Sequence, residues 1–268
     1  MPEPLDRVVD ALNTVAPLNL AEAWDNVGLL LPGRKERPVK QVLLTVDLTS
    51  SVVAEAISQG TDVVVAYHPP IFKGFTRLRR DVAMESSVLS LIEAGIALYS
   101  PHTALDACSG GLNDWLALAA GSGQLSAILP NPASPSCGAG RVNLLETPAS
   151  VADLLTSYAT ATSAPYLRLA DQDPGSRVHS VAVTAGAGGS VLERWIGRKP
   201  PRSLLVTGEL RHHDILAWTA AGHAILLLEH DCSERGYLPE FKRKLSPLLD
   251  DDVQVRVSSA DRALLTLV

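Results

Sequence analysis

The stretch Leu226-Leu227-Leu228-Glu229-His230-Asp231-Cys232-Ser233-Glu234-Arg235-Gly236 decides how the chain reads. The apolar run from Ala224 to Leu228 has the character of a buried parallel strand, whose two faces must both be apolar when helices cover them. Polarity then switches abruptly, and Ser233-Glu234 opens a predicted helix running to about Leu245, ahead of Pro247. His230 and Glu234 are four residues apart, so one helical turn carries imidazole and carboxylate to a common point. Two readings are open here. The pair is an ordinary ligand set for a divalent transition metal, or a strand-end histidine capped by a nearby acid.

Two other strand runs end in the same manner. Asp62 to Ala66 leads into Tyr67-His68-Pro69-Pro70, and Ala94 to Tyr99 leads into Ser100-Pro101-His102-Thr103-Ala104-Leu105-Asp106. In an open α/β sheet, ligands bind in the crevice beyond the carboxyl ends of the strands. Adjacent prolines stiffen two of these loops and limit where their side chains point. A core histidine needs no such convergence, and three strand ends bearing His or Asp favour the metal reading.

The chain has 268 residues, enough for one large or two ordinary domains. With 46% hydrophobic and 19% charged residues it is not a disordered chain. A net charge of −6 argues against a nucleic-acid-binding surface. Its basic clusters, Arg77 with Arg79-Arg80 and Lys242-Arg243-Lys244, are short. No apolar run approaches the ~20 residues needed to span a bilayer, and Met1-Pro2-Glu3-Pro4 lacks the features of a secretory signal. Three scattered cysteines, Cys108, Cys137 and Cys232, are not a disulfide framework and point to a reducing, cytoplasmic compartment. Cys108 and Cys232 read as small buried residues, with soft ligation as the alternative.

In chain order, an amphipathic helix over 4–15 precedes the turn Trp24-Asp25-Asn26-Val27-Gly28 and a short strand. Strand 40–46 ends at Asp47, and helix 50–58 has Thr49 or Ser50 as its N-cap. Helix 82–94 and helix 112–120 flank the strand that delivers His102 and Asp106. The β-α-β-α alternation predicts a mostly parallel sheet. The Gly/Ser/Pro-rich segment 121–140 is expected as a linker between an N-terminal half, 1–125, and a C-terminal half, 126–268.

In the second half, strands are expected over 141–145, 166–169, 179–184, 203–206, 253–257 and 263–267, with helices over 150–160, 191–195 and 210–221. The Gly-rich turn 185–190 is either a weak phosphate cradle or only a tight turn. Of His212 and His213, adjacent on a helix, at most one can face the crevice, and His213 is the expected one. Two α/β halves of similar pattern raise a diverged duplication.

These motifs resemble the Nif-three-like family (NGG-one-interacting factor three-like proteins), whose bacterial relatives are called GTP cyclohydrolase one type two homologues. The resemblance rests on Trp24 to Leu29, Tyr67 to Phe72, Ser100 to Asp106, Thr207-Gly208-Glu209, His212-His213-Asp214 and Glu229 to Gly236, and it runs nearly end to end. It implies two α/β domains, with mostly parallel or mixed sheets, a two-metal site in the cleft between them, and a homohexameric ring. It also implies His68, Asp106, His230 and Glu234 as metal ligands. Tyr67 stands where many members have a second histidine, which puts the second metal in question, since a phenol is a poorer ligand at neutral pH.

The resulting reading is a metal-dependent hydrolase, cyclohydrolase-like or phosphoesterase-like, acting on a nucleotide-like or phosphorylated small molecule. It would carry one or two divalent transition ions (Zn, Fe, Mn, Co or Ni) per subunit. His102 and Asp25 are the candidates for proton transfer or ligand orientation. The rival reading is a non-catalytic metal-binding protein that interacts with transcriptional regulators.

Overall fold

The computed structural model describes residues 4–34 and 38–265. Its elements begin with α1 (Leu5–Val15), β1 (Gly28–Pro32), β2 (Gln41–Thr45), α2 (Ser50–Ser58), β3 (Val63–Ala66), α3 (Ala83–Ala94), β4 (Ala97–Ser100) and α4 (His102–Ala107). Next come α5 (Leu112–Leu118), β5 (Gly123–Asn131), β6 (Ser134–Ser150), α6 (Val151–Thr162), β7 (Arg168–Ala170), β8 (Arg177–Thr184) and α7 (Gly189–Ile196). The chain continues with β9 (Ser203–Thr207), α8 (His212–Ala220), β10 (Ala224–Leu227), α9 (Cys232–Arg235), α10 (Leu238–Leu245) and β11 (Gln254–Val257).

Two compact units result. The first comprises Met1–Leu105 with Leu238–Arg262, and the second Asp106–Tyr237 with Ala263–Val268. The first holds a five-stranded sheet in the order β1-β4-β3-β2-β11, parallel except for β1 against β4. Val63 to Ala66 are all buried, as a central parallel strand requires. Leu43, Val64 and Leu98 pack with Val52 and Leu91 from the helices to form its core. Each such side chain contributes about 1.5–3 kcal/mol on burial. Thr49 caps α2 by accepting from the Val52 amide at 3.3 Å.

The second unit holds a six-stranded mixed sheet, β5-β6-β8-β9-β10-β7, in which only β8-β9 and β9-β10 are parallel. Ile128, Val142, Leu205, Trp218 and Ile225 form its core. It also buries a charge. The Arg141 guanidinium, 1% exposed, pairs with Asp114 and donates to the carbonyls of Ala107, Cys108, Gly138 and Gly140. Four carbonyls and a carboxylate satisfy the guanidinium donors, the condition under which a buried charge is tolerated.

Three sequence-based expectations are corrected. The 121–140 segment is not a linker but the β5–β6 hairpin, turned at Asn131, whose side chain accepts from the Ala133 amide at 2.9 Å. Its prolines are tolerated because β5 is an edge strand and Pro135 precedes the part of β6 that pairs with β8. The helix expected from Ser233 to Leu245 is two helices, α9 and α10. The break turns Tyr237 inward, where it stacks on Trp115 and donates to the Gly110 carbonyl at 3.1 Å. Ala263 to Leu265 form no strand, and Thr266 and Leu267 lie outside the described residues. Among the described residues, no helix is long and apolar enough to cross a membrane.

Candidate metal centre

In the first unit, the parallel ladder between β2 and β3 continues past both strands. Tyr67 donates to the Thr45 carbonyl and His68 to that of Val46. This continuation fixes the backbone from which the His68 side chain projects. Its Nδ1 donates to Asp47 Oδ1 at 3.0 Å. The Tyr67 and His102 rings both lie close to His68, with centroids 4.9 Å and 5.4 Å away.

His102 begins α4 with φ at +27°, and its Nδ1 donates to Asp25 Oδ1 at 2.8 Å. The other Asp25 oxygen accepts from the Thr103 amide and hydroxyl. Burial pushes the Asp25 carboxyl up, but the hydrogen bonds from His102 and Thr103 outweigh it, and its pKa is lowered. Asp25 and His102, each a candidate for proton transfer or ligand orientation, are in direct contact.

In the second unit, Glu229 leaves β10 in the left-handed region, φ +66°, and pairs with Arg168 at 2.7 Å. His230 comes next. Its Nδ1 donates to Glu209 Oε1 at 2.9 Å, and its Nε2 lies 3.3 Å from Glu234 Oε1. Glu234 is 2% exposed, and α9 brings it round by the one turn expected from the sequence.

The Gly-rich turn after β8 holds this half in place. The Ser233 hydroxyl donates to the His230 carbonyl at 2.6 Å and accepts from the Gly186 amide at 2.8 Å. Thr207 Oγ1 donates to the Gly186 carbonyl and accepts from the Gly188 amide. The amides of Gly186 and Gly188 are therefore engaged within the protein, which favours the tight-turn reading over a phosphate cradle. Gly186 has φ +61°, and a Cβ there would lie 2.7 Å from Glu234 Oε1 and 3.0 Å from His230 Nε2. A Cβ on Gly208 would lie 2.7 Å from the His230 Cα. Both positions need glycine because the backbone passes so close.

Among the described residues, His68 of the first unit and His230 and Glu234 of the second are candidate metal ligands, each offering one ligand atom. Two imidazole nitrogens and a carboxylate oxygen suit a borderline divalent ion such as zinc. The glycine at 186 keeps open the space that a side chain would fill beside two of the three ligand atoms. On donor chemistry and on space, the residues fit a metal.

Asp106 lies outside this group. It sits one turn beyond His102 on α4, and its carbonyl accepts from Asn113 Nδ2 at 3.2 Å. Asn113, 1% exposed, also accepts from the Ala185 amide, so it ties α4 to the Gly-rich turn. Tyr67 is buried beside His68 and His102. His212 and His213 are both exposed, with their rings stacked edge to face. All three cysteines are buried thiols outside any disulfide. Burial pushes the Cys108 thiol up to about 12 and the Cys232 thiol to about 11, so both are protonated at neutral pH. Sequence reasoning assigns no role to Glu209 or Asn113. The Thr207-Gly208-Glu209 motif at a strand end is the signal for the first, and nothing local marks the second.

The family model described as Duf34/NIF3 (NGG1p interacting factor 3) matches residues 4–263. The chain belongs to this family. It is 38% identical over 267 residues to NIF3-like protein 1 of Drosophila melanogaster, covering 98% of the chain and 89% of the relative. It is 32% identical to NGG1-interacting factor 3 of Saccharomyces cerevisiae, covering 98% and 96%. A Clostridium perfringens relative named GTP cyclohydrolase 1 type 2 homolog is 30% identical, covering 95% of each chain. The fold is that of a Bacillus cereus protein related to NIF3, with a TM-score of 0.89, 18% identity and full coverage of both chains.

Proposed function

We propose that this NIF3-family chain is a metal-dependent hydrolase acting on a nucleotide-like or phosphorylated small molecule. The observation that carries the reading is the ligand group His68, His230 and Glu234. Asp106 and Tyr67 are proposed as further ligands, the second of them weak because a phenol binds poorly at neutral pH. When bound, a divalent ion there lowers the pKa of water and polarises the bond to be cleaved. His102, held through Nδ1 by Asp25, takes or delivers a proton at Nε2. The lowered Asp25 pKa keeps that carboxylate charged, so it stabilises the imidazolium whenever His102 carries the proton.

The Clostridium perfringens relative's name supports a nucleotide-like substrate. A homohexamer and a cytoplasmic location complete the proposal, and light scattering on the purified protein tests the first. The test of function is a turnover screen of metal-loaded protein over nucleotides and phosphate esters. Turnover that falls about 10²–10⁴-fold in His102→Ala supports the reading. Metal-loaded protein that turns over no member of either class contradicts it. A second reading, binding to a transcriptional regulator, is supported by the name of the yeast relative, an interacting factor.

A further inference from the structure

His68 and His230 sit in matched pieces of chain. Each comes directly after a parallel β-α-β unit, β2-α2-β3 in the first and β9-α8-β10 in the second. Thr45 and Thr207 end the first strands, Asp47 and Glu209 stand two residues later, and each histidine comes 21 residues after its acid. All three positions are separated by the same 162 residues (207 − 45, 209 − 47, 230 − 68). The strand registers differ by one. Thr45 pairs with Ala66, but Thr207 pairs with Leu227, so one more residue separates the second strand from its histidine. Left-handed Glu229 takes up that residue and restores the placement of His230.

The segments after the two histidines are unrelated: a Pro69-Pro70 loop in one case and α9 in the other. The feature the two share is an acid from the neighbouring strand end on Nδ1, at 3.0 Å and 2.9 Å. A carboxylate accepts only, so each Nδ1 carries a hydrogen and Nε2 is the nitrogen left to ligate, which for His230 is the one that faces Glu234 at 3.3 Å.

We infer that Asp47 and Glu209 are paired positioning residues, which fix the rings of His68 and His230 with Nε2 as the ligand nitrogen. The inference rests on the proposed metal reading for its purpose, but the ring state it asserts is a property of the metal-free protein. Both side chains are partly exposed, 31% and 56%, so removing either leaves the cores intact.

Two measurements test the inference on the full-length chain. In chelator-treated protein, imidazole ¹⁵N shifts should report a hydrogen on Nδ1 of both histidines. Asp47→Ala should shift only His68 toward the Nε2–H form, and Glu209→Ala only His230. Calorimetric titration with zinc should then show each variant weakened about 10–100-fold, the usual effect of losing such a partner. Glu209→Gln, which keeps an acceptor oxygen without the charge, should recover part of that loss. Ring states unchanged in the variants overturn the inference. So does undiminished zinc affinity in a protein whose zinc binding depends on His68 and His230. Zinc binding indifferent to both histidines would remove the metal reading, and the ¹⁵N shifts would still decide this one.

Discussion

The two histidine-bearing strand ends share a carboxylate device and differ in what surrounds it. Beyond β3, His68 stands among rings, with Tyr67 and His102 beside it and the His102–Asp25 pair in contact. Beyond β10, His230 stands among backbone, held by Ser233, Gly186 and Gly208, with the Glu234 carboxylate 3.3 Å away. One copy of the β-α-β unit has the His102–Asp25 pair beside its histidine and the other a buried carboxylate. The difference teaches that a repeated scaffold can fix the imidazole while the side chains gathered around it differ.

The scaffolds differ in kind as well. The second unit is pinned by a buried ion pair, whereas the first relies on the apolar cluster around Leu43, Val64 and Leu98. Arg141→Ala should therefore give the largest loss of stability, about 3–5 kcal/mol, because it strands the Asp114 charge and frees four carbonyls. Denaturant titration measures it, and a loss below about 1 kcal/mol would show that the pair is not the pin.

A smaller effect is expected at the turn. Gly186→Ala imposes a left-handed conformation on a residue with a Cβ, at about 1–2 kcal/mol. It also places a methyl group against Glu234 and His230, so metal affinity should fall with stability. Unchanged affinity in a folded variant would separate the turn from the site.

The matched helices α2 and α8 offer a third contrast. Glu55 on α2 accepts from Ser258, Ser259 and Ala260, and the position 162 residues later on α8 is Ala217. Burial raises the Glu55 pKa, but these hydrogen bonds outweigh it and bring the value down to about 2. A folded-state pKa below the ordinary 4.5 gives stability that is present above 4.5 and lost as the pH falls toward 2. Thermal unfolding should show Glu55→Gln less stable than the unmodified protein at neutral pH, with the gap closing over that window. A gap independent of pH would assign it to packing.

Much of this is legible in the chain itself. The strands Val63–Ala66, Ala97–Ser100 and Ala224–Leu227 read to within a few residues because continuous apolar runs bounded by polar residues have few other outcomes. The cap of α2 reads to within one residue, Thr49 or Ser50, because capping chemistry is local, and it is Thr49. The β5–β6 hairpin reads as a linker because Pro130 and Pro135 signal a break unless their edge and overhang positions are known. The α9–α10 break escapes the sequence because Tyr237 turns inward to partners far away along the chain, Trp115 and Gly110. For the same reason the hydrogen bond that joins Asp25 and His102 across 77 residues is not legible in any local pattern.

The smallest expected effect is at Tyr67, where a histidine would add a nitrogen ligand. Tyr67→His should raise the occupancy of a second, weaker ion without altering the first, as counted by calorimetry. Two equally tight ions in the unmodified protein would contradict the role given to the phenol.

The central claim is that His68, His230 and Glu234 bind one divalent ion together, and zinc titration of the chelator-treated chain tests it most directly. At least one tight ion per subunit is predicted. His68→Ala, His230→Ala and Glu234→Gln should each weaken it by more than the ~10–100-fold that loss of an orienting partner costs. Tight zinc binding that survives all three substitutions unchanged would contradict the claim.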